Sequence, residues 1–335
     1  MTKKSASPDS YHHIGVVGGG AWGTALAVAA CQAGRQVTLW ARESEVVDSI
    51  NSIHQNAAFL PKVPLPAELK ATGELAEVAT ADALLLVVPA QHLRSSLAAL
   101  TTVTTPLVLC AKGIERGTGK LLIEVLRETV PKAEAGMLSG PSFAKDVAIG
   151  LPTAVTVAAE RMETAQRLQQ ALGSTTFRPY ASDDITGVAL GGAAKNVYAI
   201  GCGIVAGMKL GESARAALLA RAFAELCRLG EALGARSETL MGLSGLGDLV
   251  LTATSATSRN YAFGLAVGSG TPRAELFAPG RPLAEGVETA PALVARGITQ
   301  NVELPIAQTI ARILDGSLAL DQAVPALMGR PLTTE

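Results

Sequence analysis

The chain has 335 residues, of which 48% are hydrophobic and only 4% aromatic, so it is long enough for two domains with cores built mainly from Ala, Leu and Val. Its formal charge of −1 excludes the strong positive field that characterises nucleic-acid-binding proteins. Four scattered cysteines without metal-binding spacing predict free core thiols in a reducing, cytoplasmic compartment: Cys31, Cys110, Cys202 and Cys227.

The N-terminal segment, residues 1–11, begins with polar residues and has no apolar core. We expect a disordered tail there rather than a secretory signal. The adjacent His12 and His13 are interpreted as surface histidines, because the sequence supplies no further metal ligands beside them.

The segment IGVVGGGAWG, residues 14–23, predicts a strand, a glycine turn and a helix N-terminus in that order. Gly18 allows the tight turn, Gly20 lets the backbone approach a pyrophosphate, and Gly23 lets the helix pack close to the strand. The N–H groups at the start of the following helix, Thr24–Ala33, would face the anion. A plain glycine turn is the alternative, but the flanking strand and helix favour a dinucleotide site.

Strand and helix signals alternate through the first half, which predicts a Rossmann-type, doubly wound α/β domain over residues 12–183. The early strands are continuous apolar runs, as expected for a parallel sheet covered on both faces. Gly34 is placed to cap the first helix, Leu121–Thr129 predicts another helix, and the proline-containing stretch Asn51–Pro66 predicts a loop. The predicted strands are Ile14–Val17, Val37–Trp40, Leu84–Val88, Leu107–Cys110, Met137–Leu138 and Ala154–Val157.

From about Asp184 the strand signals stop and apolar residues recur at helical spacing, which predicts an all-helical substrate and catalytic domain over residues 184–335. The stretch Gly187–Met208 is long enough to cross a bilayer. Lys195 and Asn196 near its middle favour a buried helix that faces a ligand instead. The other predicted helices are Ala214–Leu233, Glu303–Leu314 and Leu318–Met328.

Arg42 follows the second predicted strand, where an NAD-selective site usually carries Asp or Glu. A guanidinium there can pair with a 2′-phosphate, so the sequence favours NADPH, with NADH also accepted. The alternative is a solvated loop arginine beside Glu43.

Two further strand ends carry candidate ligand-binding residues. Lys112 directly follows a predicted buried strand and could bind a phosphate or polarise an oxygen, although an ordinary surface lysine fits the position equally well. Gly140 and Ser142 flank Pro141 and offer a backbone N–H and a hydroxyl to a ligand, although the same pattern is a turn signal.

The candidate catalytic residue is Lys195, preceded by four small residues in the segment GGAAKN. Gly191 and Gly192 lie one helical turn before it and are expected to open a groove beside it. A lysine held out of water has a lowered pKa and can exchange protons, while a lysine that extends from a buried helix to solvent is the structural alternative. Asp248, in a glycine-rich turn, could orient the lysine or cap the next helix.

The run Ser258-Arg259-Asn260 combines a hydroxyl, a guanidinium and an amide, a set that suits a phosphate. A helix cap with Ser258 at the start is the alternative interpretation.

Together these motifs closely resemble those of the soluble NAD(P)-dependent glycerol-3-phosphate dehydrogenases, over nearly the whole chain from Ile14 onward. Each motif alone is weak, but the ordered set is specific: GGGAWGTALA, VVPA, AKGIE, SGPSFA, GGAAKNVYAIG, GLGDLVLT, SRNYAFG and AEG.

The resemblance implies that Lys195 is the general acid/base. Ala21 and Leu283 depart from the Ser and Val that are frequent in relatives. Neither departure removes a group that the reaction needs, and the cofactor affinity is left open. The implied substrate pocket contains Lys112, Gly140, Ser142, Lys195, Asp248, Ser258, Arg259 and Asn260. The implied cofactor contacts are Gly18, Gly20, Ala21, Trp22, Gly23, Arg42, Lys112, Ala144, Arg259, Leu283 and Glu285.

The resemblance further implies reversible hydride transfer between dihydroxyacetone phosphate and sn-glycerol 3-phosphate, with NADPH or NADH, in the supply of phospholipid precursors. We expect a small phosphorylated substrate, no nucleic-acid partner and no membrane span, and a homodimer is compatible with the sequence.

Two alternatives stay open. A 3-hydroxyacid or 6-phosphogluconate type dehydrogenase also pairs a Rossmann domain with a helical domain and uses a glycine-preceded lysine, but SGPSFA and the run 258–260 favour the glycerol phosphate interpretation. A non-catalytic NADPH-sensing module would need Gly18–Gly23 but not Lys195 and Asp248.

Overall fold

The computed structural model describes residues 10–280 and 284–329, and the chain divides into two compact units. The first unit contains the chain up to Ala111 together with Leu122–Val188. The second contains Lys112–Leu121 and the chain from Ala189 onward.

This division differs from the predicted boundary at residues 183 and 184 in two ways. The change of unit falls after Val188, inside a helix, and the segment Lys112–Leu121 groups with the second unit. Ion pairs explain the second difference, because Lys112 contacts Asp248 and Arg116 contacts Glu288. Tertiary contacts decide such a grouping, whereas the sequence pattern only orders strands and helices along the chain.

The N-terminal residues Ser10 and Tyr11 belong to the first unit, although the sequence placed them in a disordered tail. Both side chains are buried. Arg35 donates from Nη1 to Ser10 Oγ at 3.1 Å, and the Arg167 guanidinium lies 4.3 Å from the centroid of the Tyr11 ring. Polar and cation–π contacts of this kind leave no hydropathy signal. The expectation for residues 1–9 lies outside the described residues.

An eight-stranded sheet forms the core of the first unit. Its strands are β1 (His13–Val17), β2 (Gln36–Trp40), β3 (Lys70–Thr72), β4 (Ala83–Leu86), β5 (Leu107–Leu109), β6 (Ala135–Ser139), β7 (Thr153–Ala159) and β8 (Phe177–Ser182). Their order across the sheet is β3-β2-β1-β4-β5-β6-β7-β8, and every neighbouring pair is parallel except β6 with β7. The predicted Rossmann-type sheet is therefore confirmed.

The helices of the first unit connect these strands, as the alternating sequence pattern predicts. Gly34 adopts a φ of +78° and donates its N–H to Cys31 at 2.8 Å, so it ends the first helix as expected. The helices are α1 (Ala21–Gln32), α2 (Ser44–Ile53), α3 (Leu75–Val78), α4 (Leu93–Leu97), α5 (Leu122–Thr129), α6 (Ala144–Ala148) and α7 (Met162–Leu172).

Over residues 189–280 and 284–329 the second unit contains helices and no strand, which confirms the predicted all-helical C-terminal domain. Its other segment, Lys112–Leu121, is not helical. A π-helical turn at Leu243–Gly247 precedes the helix that begins at Asp248. The helices that begin after residue 184 are α8 (Ile185–Gly207), α9 (Glu212–Ala232), α10 (Ser237–Met241), α11 (Asp248–Thr254), α12 (Arg259–Gly268), α13 (Arg273–Leu276), α14 (Glu285–Thr299), α15 (Pro305–Asp315) and α16 (Leu320–Met328).

Helix α8 is a core helix. It is long and apolar enough to cross a membrane, but 94% of its most apolar window is buried inside the protein. Asp184 caps its start, because the side-chain Oδ1 accepts the Gly187 N–H at 2.8 Å. The helix carries Lys195 and Asn196 at its buried centre, as the sequence predicts.

Glycines bring α8 and α12 into backbone contact. A Cβ added to Gly203 would lie 2.2 Å from the Tyr261 carbonyl oxygen, and one added to Gly264 would lie 2.1 Å from the Ile200 oxygen. Gly207 and Gly268 repeat this approach one turn further along each helix. This glycine seam (Gly203, Gly207, Gly264 and Gly268) explains two of the six glycines in α8.

A buried carboxylate joins three helices of the second unit. Glu225 on α9 is 1% exposed and accepts backbone N–H groups from Ile306 at 2.6 Å and Ala307 at 3.2 Å, at the start of α15. Its Oε2 also lies 3.3 Å from the Tyr198 hydroxyl on α8. Burial raises the pKa of Glu225 to about 7, although these donors and the Arg228 charge oppose the shift.

The four cysteines are free, as the sequence predicts. Three are buried and Cys227 is partly buried. Burial raises the pKa of the Cys31 and Cys202 thiols to about 12, so these side chains are inert core residues.

Candidate active site

The glycine loop of the first unit has the backbone that a dinucleotide site requires. Gly18 adopts a φ of +131° and donates its N–H to the Trp40 carbonyl at 3.0 Å. A Cβ on Gly23 would lie only 1.9 Å from the Gly18 oxygen, so no larger residue fits there. A Cβ on Gly20 would meet no atom within 4 Å. The loop is therefore closed where helix and strand pack and open where a phosphate would approach.

Helix α1 begins with unpaired donors. Gly20 is its N-cap and supplies no side-chain cap, and the first turn holds no acidic residue. Ala21 and Trp22 are the first helical residues and are only partly buried. The N–H groups of this turn are left for an external anion, which the helix dipole also favours.

Arg42 is exposed and already paired. Its Nη2 and Nε lie 2.8 and 3.2 Å from Glu43 Oε1, and the side chain is 82% exposed. A 2′-phosphate at this position would have to compete with that carboxylate for the guanidinium.

In the second unit, one buried carboxylate is shared by two lysines. Lys195 donates from Nζ to Asp248 Oδ1, and Lys112 donates to Asp248 Oδ2 at 2.6 Å. Lys195 also donates to Thr252 Oγ1 at 2.9 Å. Asp248 is 1% exposed, while the side chains of Lys195 and Lys112 are 8% and 13% exposed. The group carries a net positive charge in a site with little water.

Burial dominates the ionisation of this cluster. It lowers the pKa of Lys195 from 10.5 to about 7, with Lys112 acting in the same direction and Asp248 opposing. Burial alone would raise the pKa of Asp248, but the ammonium groups of Lys112 and Lys195 lower it overall. Lys195 therefore exchanges its proton near neutral pH while Asp248 stays ionised, which suits a proton donor and acceptor.

Close packing, rather than a groove, brings Lys195 and Asp248 together. The sequence suggested that Gly191 opens space beside the lysine. Instead, a Cβ on Gly191 would lie 2.7 Å from the Ser244 carbonyl oxygen, in the turn just before α11. The missing side chain thus lets α8 approach the segment that carries Asp248, so the predicted groove is wrong at Gly191.

The run 258–260 begins α12 and places polar groups at its N-terminus. Ser258 caps the helix, because its Oγ accepts the Tyr261 N–H at 3.2 Å, while Arg259 is exposed. Asn260 donates to Asn196 Oδ1 at 2.9 Å, and its own oxygen accepts the Gly286 N–H at 2.9 Å. The amide pair links this helix start to the residue that follows Lys195.

Comparisons with known proteins agree with this geometry. Residues 13–165 match the model of the NAD-dependent glycerol-3-phosphate dehydrogenase N-terminus, and residues 184–325 match that of the C-terminus. The chain belongs to this family.

Named relatives support the assignment. A glycerol-3-phosphate dehydrogenase (NAD(P)+) of Parvibaculum lavamentivorans is 55% identical over 97% of this chain and 99% of its own length. One of Rhodospirillum rubrum is 52% identical over 96% of this chain and 94% of its own length. The crystal structure of glycerol-3-phosphate dehydrogenase from Coxiella burnetii covers 96% of this chain and all of its own, with 37% identity and a TM-score of 0.89. The resemblance drawn from the sequence is confirmed.

Besides the glycine loop and Arg42, the resemblance assigns three further residues of the first unit to ligands. Gly140 is buried, with a φ of +154° and room for no Cβ beside Val155, so its backbone alone explains the glycine. Ser142 donates its hydroxyl to the Gly140 carbonyl at 3.0 Å. Ala144 begins α6 and is partly buried.

One of the two remaining assigned cofactor residues begins α14. Glu285 is its first residue, and burial raises the pKa of its carboxyl against the opposing charges of Arg259, Lys112 and Lys195. Leu283 lies outside the described residues.

Thr252 is a member of the candidate site that sequence reasoning missed. It lies four residues after Asp248 on α11, so both side chains share one face of the helix. That spacing is visible in the segment DLVLT and could have identified Thr252 once Asp248 was placed at the start of a helix.

Proposed function

We propose that this protein catalyses the reversible reduction of dihydroxyacetone phosphate to sn-glycerol 3-phosphate with NADPH or NADH. The observation that carries the proposal is the buried Lys195, held by Asp248 and Thr252 with its pKa lowered to about 7. Relatives that are 55% identical over almost their full length carry this activity in their names, which supports the choice of substrate.

Lys195 handles the proton at the C2 oxygen of the substrate. An ammonium has three N–H donors, and Asp248 and Thr252 take two of them. Among the described residues no third acceptor lies within hydrogen-bond distance, so one N–H is left for the substrate oxygen. In reduction, Lys195 stabilises the negative charge that develops on this oxygen and donates the proton. In oxidation, neutral Lys195 removes the proton from the hydroxyl group.

Asp248 and Lys112 set the electrostatics of that transfer. The carboxylate orients Lys195 and compensates its charge, while Lys112 adds a second positive charge to the cluster. The net positive charge favours both the substrate phosphate and the alkoxide-like oxygen of the transition state.

The start of α12 binds the substrate phosphate. Ser258 accepts from Tyr261 and keeps its O–H for donation, and Asn260 keeps one amide N–H after its contact with Asn196. Arg259 supplies a guanidinium that can form two hydrogen bonds to a phosphate. We assign Gly140 and Ser142 to the same substrate on the resemblance alone.

The glycine loop would hold the cofactor pyrophosphate through the N–H groups around Gly20, Ala21 and Trp22. When bound, the nicotinamide supplies or accepts the hydride at the substrate C2 carbon. Arg42 is assigned to the adenosine 2′-phosphate, so NADPH is the preferred cofactor despite the Glu43 pair. The further cofactor contacts rest on the resemblance: Gly18, Gly23, Lys112, Ala144, Arg259, Leu283 and Glu285.

The proposed activity supplies glycerol 3-phosphate for phospholipid synthesis in the cytoplasm. Four free cysteines support a reducing compartment. A homodimer is the assembly to test first, by light scattering coupled to size-exclusion chromatography.

The deciding experiment follows the absorbance of NADPH and NADH with the purified protein and dihydroxyacetone phosphate. We expect oxidation of both cofactors, with the higher catalytic efficiency for NADPH. In the reverse assay with NADP+ or NAD+, oxidation of 3-hydroxy acids or 6-phosphogluconate in place of glycerol 3-phosphate would contradict the proposal. Tight NADPH binding without turnover of any of these substrates would favour a sensing module.

A further inference from the structure

Asn56 is a buried polar residue that the dinucleotide-binding pattern does not include. It lies in the loop between α2 and β3, within the stretch that the sequence identified only as a loop, and is 0% exposed. Polar side chains are this deeply buried when their hydrogen bonds are satisfied inside the protein.

The side chain of Asn56 reaches the glycine loop. Its Nδ2 donates to the Gly19 carbonyl oxygen at 2.8 Å and to Thr24 Oγ1 at 2.8 Å. Its Oδ1 accepts the Phe59 N–H at 3.1 Å, which fixes the orientation of the amide. Thr24, on α1, is also 0% exposed, and its hydroxyl lies 3.5 Å from the Gly19 oxygen. We call these two side chains the Asn56–Thr24 clamp.

The loop needs such an external constraint because it has three consecutive glycines, Gly18-Gly19-Gly20. Glycine adopts backbone angles that other residues do not, so rotation of the Gly19–Gly20 peptide costs little by itself. The first helical carbonyl of α1 is that of Gly20, which accepts the Thr24 N–H at 2.9 Å. The Gly19 carbonyl therefore relies on the clamp for its hydrogen bonds.

Peptide planarity converts this contact into a direction for the next N–H. The carbonyl oxygen and the amide hydrogen of a trans peptide point in opposite directions. With the Gly19 oxygen held toward Asn56, the Gly20 N–H points away from Asn56. A rotated peptide would instead turn a carbonyl oxygen toward an anion at the loop, which is repulsive.

We propose that Asn56, acting with Thr24, is a positioning residue for the cofactor pyrophosphate. The clamp holds the Gly19 carbonyl so that the Gly20 N–H and the first donors of α1 are presented to the anion. This inference rests on the proposed use of NADPH or NADH and adds a determinant of cofactor affinity that lies outside the glycine motif.

The test compares two amide substitutions of equal size. Asn56→Asp removes the donors to Gly19 and Thr24 and keeps the acceptor for Phe59. Asn51→Asp is the matched control, because the Asn51 side chain bonds the backbone of Ala71 in the same unit rather than the glycine loop. Dissociation constants for NADH and ADP-ribose are measured by calorimetry, together with kcat and the KM for dihydroxyacetone phosphate at saturating NADH.

For Asn56→Asp we expect NADH and ADP-ribose to bind about tenfold more weakly, by the same factor, because both contain the pyrophosphate. We expect kcat and the KM for dihydroxyacetone phosphate to stay within about twofold of wild type, and Asn51→Asp to bind both ligands like wild type. Unchanged NADH affinity in folded Asn56→Asp, or an equal loss in the control, would overturn the inference.

A second pair of variants covers the case in which Asn56→Asp does not fold. Thr24→Val removes the hydroxyl without a change of shape, and Thr24→Ser keeps it. We expect about threefold weaker NADH binding for valine and wild-type affinity for serine, and equal affinities would overturn the clamp. Wild-type protein that binds neither NADH nor NADPH would instead refute the proposed function itself.

Discussion

The two units of the chain build their candidate ligand sites from different materials. In the first unit the donors are backbone N–H groups, whose directions are set by Gly18, Gly20 and the Asn56–Thr24 clamp. In the second unit the functional groups are side chains, Lys195 and Asp248 above all, and glycines serve to bring their helices together. Substitutions in the first unit should therefore change cofactor affinity, while those in the second should change proton transfer, phosphate binding or stability.

Lys195→Met should have the largest effect, and it tests whether the second unit carries proton transfer without contributing to cofactor affinity. We expect kcat to fall by about 100-fold or more, because the proton donor is lost. The NADPH dissociation constant should not change, because Asp248 remains paired with Lys112 and the glycine loop is untouched. Steady-state kinetics and calorimetry measure the two effects. Lys132→Met, at an exposed lysine, is the control, and turnover retained in Lys195→Met would remove the residue from the mechanism.

The buried carboxyl group of Glu225 should make the free energy of unfolding depend on pH. The pKa of about 7 in the folded protein lies above the usual 4.5, so the folded state binds more protons between these values. The free energy of unfolding should therefore fall as pH rises from 4.5 to 7, by up to about 3 kcal/mol.

In Glu225→Gln this contribution to the pH dependence should disappear, because the amide does not titrate. Urea unfolding of both proteins at pH 5, 6, 7 and 8 gives the comparison. The difference in stability between wild type and variant should move in favour of the variant as pH rises. A difference that is constant across this range would show that Glu225 does not titrate there.

Arg259→Ala should lower the catalytic efficiency for dihydroxyacetone phosphate by roughly 30-fold, because a charged hydrogen bond to the phosphate is lost. Unphosphorylated dihydroxyacetone at high concentration is the control substrate, and its slow reduction should be little affected. Arg259→Lys, which keeps the charge without the planar guanidinium, should lie between alanine and wild type. An equal loss with both substrates would argue against a phosphate contact.

Substitutions of Arg42 and Glu43 in the first unit should have the smallest effect, a change in the preference for NADPH over NADH. Arg42→Ala should weaken NADPH by roughly fivefold and NADH by less, since the side chain is exposed and its charge is screened. Glu43→Gln should tighten NADPH slightly, because it releases the guanidinium from its present partner. Fluorescence titration with both cofactors measures these constants, and equal changes for NADPH and NADH would show that Arg42 does not contact the 2′-phosphate.

The sequence predicted the central strands of the sheet but not its two edge strands. Every predicted strand corresponds to an observed one, because buried parallel strands are continuous apolar runs. The two strands that were missed, β3 and β8, are the edges of the sheet. β3 has three residues, and β8 contains Arg178 and Pro179, which an edge strand tolerates and a central strand does not.

The site divides in the same way. The sequence proposes Lys195, Asp248 and the glycine loop as candidates because each stands in a short local motif. Asn56 was missed because its contact with Gly19 joins residues 37 positions apart, and nothing in the loop sequence indicates the partner. The groove expected at Gly191 was wrong for a related reason, since a missing side chain admits either a ligand or a neighbouring backbone, and only packing decides between them.

The glycine seam between α8 and α12 has a mechanical consequence. Where backbone touches backbone, no side chain can change rotamer to absorb a displacement. The two helices should therefore move as one rigid body, which contains Lys195 near the middle of α8 and Ser258 at the start of α12. A displacement of α12, for example when an anion binds at Arg259, would therefore also displace the Lys195 ammonium group on α8.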